Sequence, residues 1–391
     1  MSVIADRLSA SDAGPKRAAS PVVLPKLKVE RISGADWDEI ISGFDEVCQE
    51  QMFAFSAVHW PGVTLEPTLF SLDGTIVGGA LIMVQPLPLR LANMAVLKWA
   101  PMLADATRVD AEAIRQAMVE AVIAEYSAAR RMMVSVLLAA STHEMHPAYQ
   151  ALRHNGFRRG STLLFPNRYL VRLRLSDAEQ RKSLHQKWRY HLNKAEKAGL
   201  RFERVGTEHL DMFKQLYAAM TDRKQFPDHS AYETLDALMG VDEKLRPELF
   251  LVSLGEECVA GALIFKAGKR AVYLYGATNE KALPVRAGYF MHWHIIRWLR
   301  DNTTADWYDL GGTDGFLGLH QFKKGMVGEA GLIRPVPPVV NYADSRRALL
   351  FGTLAFRGRD MLQHLLRHIR KLRSPKAQPD QPPHRPEVDF Q

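Results

Sequence analysis

The sequence predicts a mixed α+β fold built twice: two tandem domains, each a mixed, largely antiparallel sheet flanked by helices. The first observation behind this is a repeated hairpin. Pro67-Thr-Leu-Phe70 runs through Leu72-Asp-Gly74 into Val77-Gly-Gly-Ala-Leu-Ile82, and Pro247-Glu-Leu-Phe250 runs through Leu254-Gly-Glu256 into Val259-Ala-Gly-Ala-Leu-Ile264. The second copy is two residues longer, which the turn is expected to absorb. The second observation is that both halves follow the same order of strands and helices. The third is length: 391 residues can supply two or three cores.

Taken in order, residues 1–26 are rich in Ala, Ser and Pro and have no apolar signal core, so they read as a disordered leader. The first domain spans 27–175. A strand over Lys26–Ile32 leads to a helix from Trp37 to about Phe53, with Ser33 and Asp36 as its cap. After the hairpin come a strand over Ala95–Ala100, a helix over Ala111–Arg131 and a buried strand over Met132–Leu138. A short helix over Pro147–Leu152 stops at Asn155-Gly156, and a last strand covers Asn167–Leu175.

The second domain, 176–342, opens with a basic helix over Ser176–Gly199. A strand over Arg201–Val205 and helices over Thr207–Asp222 and Tyr232–Met239 precede the second hairpin. Strands over Ala271–Gly276 and Trp307–Gly312 flank an aromatic helix over Gly288–Arg300, and Leu332–Val340 closes the domain. Residues 343–373 read as a basic amphipathic helix suited to an anionic membrane face, or to packing on its own protein. Residues 374–391 read as a disordered tail.

Composition narrows the function. Hydrophobic content of 47% with 24% charged residues is ordinary for a globular protein, and no apolar run is long enough to cross a bilayer. Cys48 and Cys258 stand alone in their halves, so no zinc spacing or disulfide framework is available. A cytoplasmic place is expected, peripheral at the membrane if the C-terminal helix docks there. The net charge of +8 favours polyanionic partners.

Tyr149-Gln-Ala-Leu-Arg-His-Asn-Gly-Phe157 resembles the closing motif of the acyl-CoA N-acyltransferase (GNAT) fold. Lys187-Trp-Arg-Tyr-His-Leu-Asn-Lys-Ala-Glu-Lys-Ala-Gly199, Tyr273-Leu-Tyr-Gly-Ala277, Tyr308-Asp-Leu-Gly-Gly312 and Gln321-Phe-Lys-Lys-Gly325 resemble something narrower, the Fem-type (FemABX) peptidoglycan-bridge aminoacyltransferases. The resemblance covers roughly residues 30–340 and implies two tandem GNAT-like domains. It implies transfer of an amino acid from aminoacyl-tRNA to the stem peptide of a peptidoglycan precursor, either lipid II or a UDP-MurNAc-peptide. Aminoacyl-tRNA is then a co-substrate, with no further cofactor. The chain departs from some members in having no room for a helical arm after Gly199. It also lacks the Gly-rich pyrophosphate loop of a coenzyme A enzyme, keeping only Pro284-Val-Arg-Ala-Gly-Tyr289. An acyl-CoA-dependent N-acyltransferase acting on a cell-envelope polysaccharide or peptide is the alternative.

The resemblance places Phe322-Lys323 beside the tRNA acceptor end, with Lys323 facing a phosphate or the developing oxyanion. Read as residues alone, the pair is a core plug and a solvated lysine, with Lys324 beside it. Lys187, Arg189, Asn193 and Lys194 can hold diphosphate or tRNA backbone, or can be the wet face of a linker helix. Asp309 can orient the incoming amine or simply close its turn. Tyr275 is a candidate substrate contact or an inward strand tyrosine, and Arg286 suits a phosphate or carboxylate. His292 and His294 point to different helix faces, which fits structural roles and no metal.

Overall fold

The computed structural model describes residues 26–87, 92–224 and 231–356, with 358 and 361 beyond them. The expected leader and tail, and most of the expected C-terminal helix, lie outside the described residues. In chain order the first strands are β1 (Lys28–Arg31), β2 (Thr64–Leu72), β3 (Thr75–Pro86), β4 (Asn93–Lys98), β5 (Met102–Leu103), β6 (Met133–Leu137) and β7 (Arg158–Arg159). They are followed by β8 (Asn167–Arg172), β9 (Leu200–Val205), β10 (Glu248–Leu254), β11 (Glu257–Phe265), β12 (Arg270–Thr278), β13 (Trp307–Asp309), β14 (Leu332–Pro335) and β15 (Val340–Tyr342). The helices of the first half are α1 (Gly34–Ile41), α2 (Phe53–His59), α3 (Ala111–Val122) and α4 (Pro147–His154). Those of the second are α5 (Asp177–Ser183), α6 (Gln186–Ala195), α7 (Leu210–Lys224), α8 (Leu235–Met239), α9 (Ala287–Asn302) and α10 (Leu317–Val327).

Two mixed sheets repeat one plan. The first runs β1-β2-β3-β4-β6-β15-β7, with β5 beside β3; the second runs β9-β10-β11-β12-β13-β8-β14. Along each path three antiparallel pairings are followed by one parallel pairing, β4 with β6 and β12 with β13, and then by two antiparallel ones. The sixth position is exchanged between the halves. β8, expected to close the first domain, lies in the second sheet between β13 and β14. The segment expected to close the second domain splits, and its end, β15, enters the first sheet between β6 and β7. A boundary at 175/176 therefore divides the chain but not the sheets. Period-two patterning marks a strand but carries no information about its non-local partner.

The hairpin repeat is real in pairing, with one correction. Both tips are two-residue turns, Asp73-Gly74 and Gly255-Glu256. The two extra residues of the second copy lie in β10, between Phe250 and the tip, and shift the bulge from Phe70/Ser71 to Val252/Ser253. A two-residue tip matches strand twist, so the ladder lengthens instead.

Alternation along the hairpins builds three layers of core. Phe70, Ala80 and Ile82 face one cluster with Ile114 and Met118 of α3. Phe250, Val252, Ala262 and Ile264 face another with Trp188, Leu192, Met291 and Ile295. The intervening residues, Leu69 and Leu81 from one sheet and Leu249, Leu251 and Leu263 from the other, share a single central cluster with Trp37, Phe55, Phe213 and Leu238. The two halves are thus joined by a common apolar layer, and burying any one of its large side chains stabilises the pair by about 1.5–3 kcal/mol.

Two expected helices are interrupted. Ser33 caps α1, its Oγ accepting from the Asp36 N–H at 3.2 Å, but the helix stops at Ile41. α2 starts afresh at Phe53, where the Asp38 carboxylate accepts the N–H groups of Phe53 (2.6 Å) and Ala54 (3.0 Å). The basic segment divides into α5, opened by a Ser176/Glu179 capping box, and α6, with extended ψ angles at Leu184 and His185 between them. Residues 346–356 are helical, and Leu349, Phe351, Ala355 and Phe356 pack toward Met94 and Met133 of the first sheet.

Candidate active site

The turn from β13 into α10 collects the charged groups. Asp309 ends β13, and its carboxylate accepts the Gly311 N–H at 2.9 Å. Gly311 has φ +76°, a left-handed conformation that suits glycine. Lys323 reaches back from α10, so that its Nζ donates to the carbonyls of Leu310 (2.5 Å) and Gly312 (2.5 Å). Two of its three donors are used among the described residues. Lys323 is only 6% exposed. Burial, and then the Arg168 charge, pull its pKa down to about 8, against the opposing pull of Asp309 and Asp314. The Phe-Lys-Lys-Gly segment is therefore helical, and its lysine is not a solvated turn residue.

Arg168 arrives by the strand exchange. From β8 its Nε donates to both Asp309 oxygens at 3.1 Å. Its guanidinium also lies 5.5 Å from the centre of the Trp99 ring. Trp99 has φ +60°, a left-handed backbone that a bulky residue adopts at a cost of about 1–3 kcal/mol. Sequence reasoning missed both residues. Arg168 sits in a strand expected to close the first domain that instead pairs with β13, and nothing local marks Trp99.

A cavity of about 480 Å³ between the halves is lined by Arg168, Asp309 and Arg270 and, from the first half, by Trp99, Arg115 and His146. Arg270 donates to the Ala140 carbonyl at 2.9 Å, tying the halves together, and burial pulls it below the usual arginine range. Arg115 is held by Glu46 through bonds of 2.9 and 2.8 Å. Burial depresses His146, keeping its ring a neutral partner for the Ala139 carbonyl at 2.9 Å.

Near Lys323 the parallel strands and α9 bring together a buried polar group. Tyr308 Oη and His292 Nδ1 are 3.1 Å apart, and Lys323 Nζ lies 6.0 Å from the Tyr273 ring centre. Burial, helped by the Lys323 charge, pushes His292 down to about 3, so it is neutral. Burial raises Tyr273 to about 12. Phe322 packs on His292, Tyr289 and Trp188, the core plug its residue type suggested.

Other candidates separate. Tyr275 does not meet the site: its hydroxyl donates to the Ala231 carbonyl at 3.0 Å and lies 2.7 Å from Thr234 Oγ1, on the central-core face. The cause is a bulge in β12, where Leu263 and Ile264 pair with Tyr275 and Tyr273, leaving Leu274 extra. The bulge turns Tyr273, and not Tyr275, toward Lys323. Arg189 donates to the carbonyls of Lys182 (2.7 Å) and Leu184 (2.5 Å), closing the end of α5. Asn193 accepts from Arg181 at 2.9 Å. Both side chains are engaged within the protein. Lys187, Lys194 and Arg286 converge electrostatically on His191, lowering its pKa after burial has done so. Beside them, Trp188 Nε1, His191 Nδ1 and Arg286 Nε are buried without hydrogen-bond partners. This basic and aromatic face at the start of α9 lies apart from the cavity. Lys324 is exposed on α10, and His294 stacks on Phe202 as a structural residue. Among the described residues no cluster of metal-ligating side chains occurs.

Residues 180–324 match the family model described as acetyltransferase (GNAT) domain. No curated protein matches the sequence. Among solved structures the chain is similar to FemX, at 18% identity and a TM-score of 0.66, covering 84% of this chain and 100% of that one. It is also similar to L-PGS from Bacillus licheniformis, at 12% identity and a TM-score of 0.53, covering 83% and 97%. A third is the C-terminal domain of a putative lysylphosphatidylglycerol synthetase from Agrobacterium fabrum, at 15% identity and 0.51, covering 82% and 96%.

Proposed function

Because this chain is an acyltransferase with a FemX-like tandem GNAT fold, we propose that it moves an amino acid from aminoacyl-tRNA to an amine on the stem peptide of a peptidoglycan precursor, lipid II or its UDP-linked form. The observation that carries the reading is the continuity of the site. Asp309 and Arg168 line the interdomain cavity, and Lys323 lies directly behind them on the carbonyls of the same turn. The acceptor occupies the cavity. The donor approaches over the face formed by Lys187, Lys194, Arg286 and the exposed Lys324, whose cations suit an RNA backbone.

In the transfer the amine nitrogen attacks the ester carbonyl, the C–N bond forms, and the C–O bond to the ribose breaks. The proton released by the amine ends on the ribose hydroxyl. Lys323, charged below about pH 8, keeps one donor for the oxyanion, and such a donor is typically worth about 10²–10³ in rate. Phe322 holds Lys323 in place by filling the aromatic core beside it.

A second reading is transfer from an acyl-CoA. It is favoured by the open backbone at Gly288, where nothing lies within 4 Å of an added Cβ, at the start of the sixteen-residue α9. Calorimetric titration with acetyl-CoA separates the two: tight binding supports the thioester donor, and no heat supports the tRNA donor. The acceptor assignment is tested with Ala106→Trp at the exposed edge of the cavity. We expect the acceptor KM to rise with the donor KM unchanged; an unchanged acceptor KM removes the cavity from the reading.

A further inference from the structure

Two neighbouring loops beside the site expose apolar side chains. In residues 160–166, between β7 and β8, Leu163 and Leu164 are 40% and 42% exposed. Both ends of this segment are tied down: the Gly160 N–H donates to the Val339 carbonyl at 2.7 Å, Val339 N–H to Ser161 at 2.9 Å, and Val336 N–H to Pro166 at 2.8 Å. Only the tip is left to project. The second loop joins β13 to α10, where Phe316 and Leu317 are 51% and 53% exposed. The loops touch: a Cβ on Gly315 would meet the Phe165 ring at 2.7 Å, and one on Gly312 would lie 3.8 Å from the Phe165 carbonyl.

We propose that these two tips are a membrane-contacting surface that seats the protein on an anionic bilayer with the Lys323 turn facing the lipid. Four large apolar side chains exposed on two adjoining loops fit a soft apolar layer better than a rigid groove. The strand leading into the first tip is basic. Arg158 and Arg159 are both exposed on edge strand β7, and neither forms an ion pair among the described residues. Cations beside inserted leucines match the phosphates of acidic headgroups. Asp314 is the acidic group on the second loop and is itself exposed, so it can stay in water. Nucleic acid fits this patch less well, because three of the four exposed apolar side chains are leucines, which give no stacking platform. The Phe165 contacts place the patch against the turn that carries Gly312 and the Lys323 ammonium, so an acceptor emerging from a membrane would reach the site directly. Such a contact serves a tRNA donor and a thioester donor alike.

The test is co-sedimentation of the full chain with vesicles of equimolar phosphatidylglycerol and phosphatidylcholine, and with phosphatidylcholine alone. The wild type is expected to partition onto the mixed vesicles and much less onto the neutral ones. Leu163→Glu combined with Leu164→Glu and Leu317→Glu should weaken partitioning by more than about tenfold at an unchanged melting temperature. Arg158→Gln with Arg159→Gln, which leaves the tips intact, should flatten the dependence on phosphatidylglycerol and covers the case in which the triple variant folds poorly. Wild-type protein that stays in the supernatant overturns the proposal. So does a folded triple variant that sediments like the wild type, or one that instead loses affinity for total tRNA.

Discussion

The two halves share one wiring but fill it differently. In the first, the parallel pair β4 and β6 is lined by Ala95, Leu97, Val134 and Val136 and covered by Ile114 and Met118 from the helix that precedes β6. In the second, the equivalent pair β12 and β13, with α9 and α10 over it, holds Tyr273, Tyr308, His292 and Lys323. Hydrocarbon is the stable filling, and buried ionisable groups cost stability unless they are bonded. Their presence at this parallel pair is the ground on which we propose that the second half carries the chemistry. The first half supplies a wall of the cavity and the strand β15's partners. Duplicated folds diverge most where stability and function compete.

The largest difference between the halves is expected at Lys323. Lys323→Ala should lower kcat about 10²–10³-fold with little change in acceptor KM, measured by steady-state transfer. Equal loss in a first-half core variant of matched stability, such as Met118→Ala, would erase the distinction. Asp309→Asn should come next. It retains an oxygen for the Gly311 N–H but discharges the pair with Arg168, and removing one partner of a buried pair costs about 3 kcal/mol. Urea midpoints of variant and wild type give the difference.

The bulge in β12 gives Tyr273 and Tyr275 different surroundings. Tyr275→Phe should cost about 1 kcal/mol of stability and leave kcat alone, since its hydroxyl bonds Ala231 and Thr234 on the central-core face. Tyr273→Phe should do the reverse. Finding both effects at Tyr275 would mean that the wrong face of the strand has been assigned to the site. A smaller effect concerns pH. Burial and Arg168 place Lys323 at about 8, so a rate that needs its charge should fall as pH rises through that value. Its stability contribution runs the other way. Between about 8 and the ordinary lysine value of 10.5 the unfolded chain holds a proton that the folded chain has released. Folding stability relative to Lys323→Met should therefore rise over that interval, read by denaturant titration at each pH.

Much of this molecule is readable from local pattern. The repeated hairpin, the Ser33 cap and the glycine turn after Asp309 each rest on chemistry within a few residues. What pattern does not contain is pairing at a distance. The exchange of β8 and β15 is invisible in the strands themselves, and with it goes Arg168, which meets Asp309 across 141 positions of sequence. The choice between Tyr273 and Tyr275 turns on one bulged residue, Leu274, in an otherwise regular run. Arg189 carried the charge expected of a phosphate ligand, but the break between α5 and α6 left carbonyls that its guanidinium closes. A cation next to an open helix end is drawn to it before any ligand arrives.

The most direct test of the central claim is the identity of the donor. Purified protein would be incubated with lipid II or its UDP-linked precursor and either a pool of labelled aminoacyl-tRNAs or labelled acyl-CoAs, and the acceptor read by mass. The expected result is a gain of one amino-acid residue, abolished by ribonuclease. A gain of an acyl group from the thioester, indifferent to ribonuclease, would contradict it.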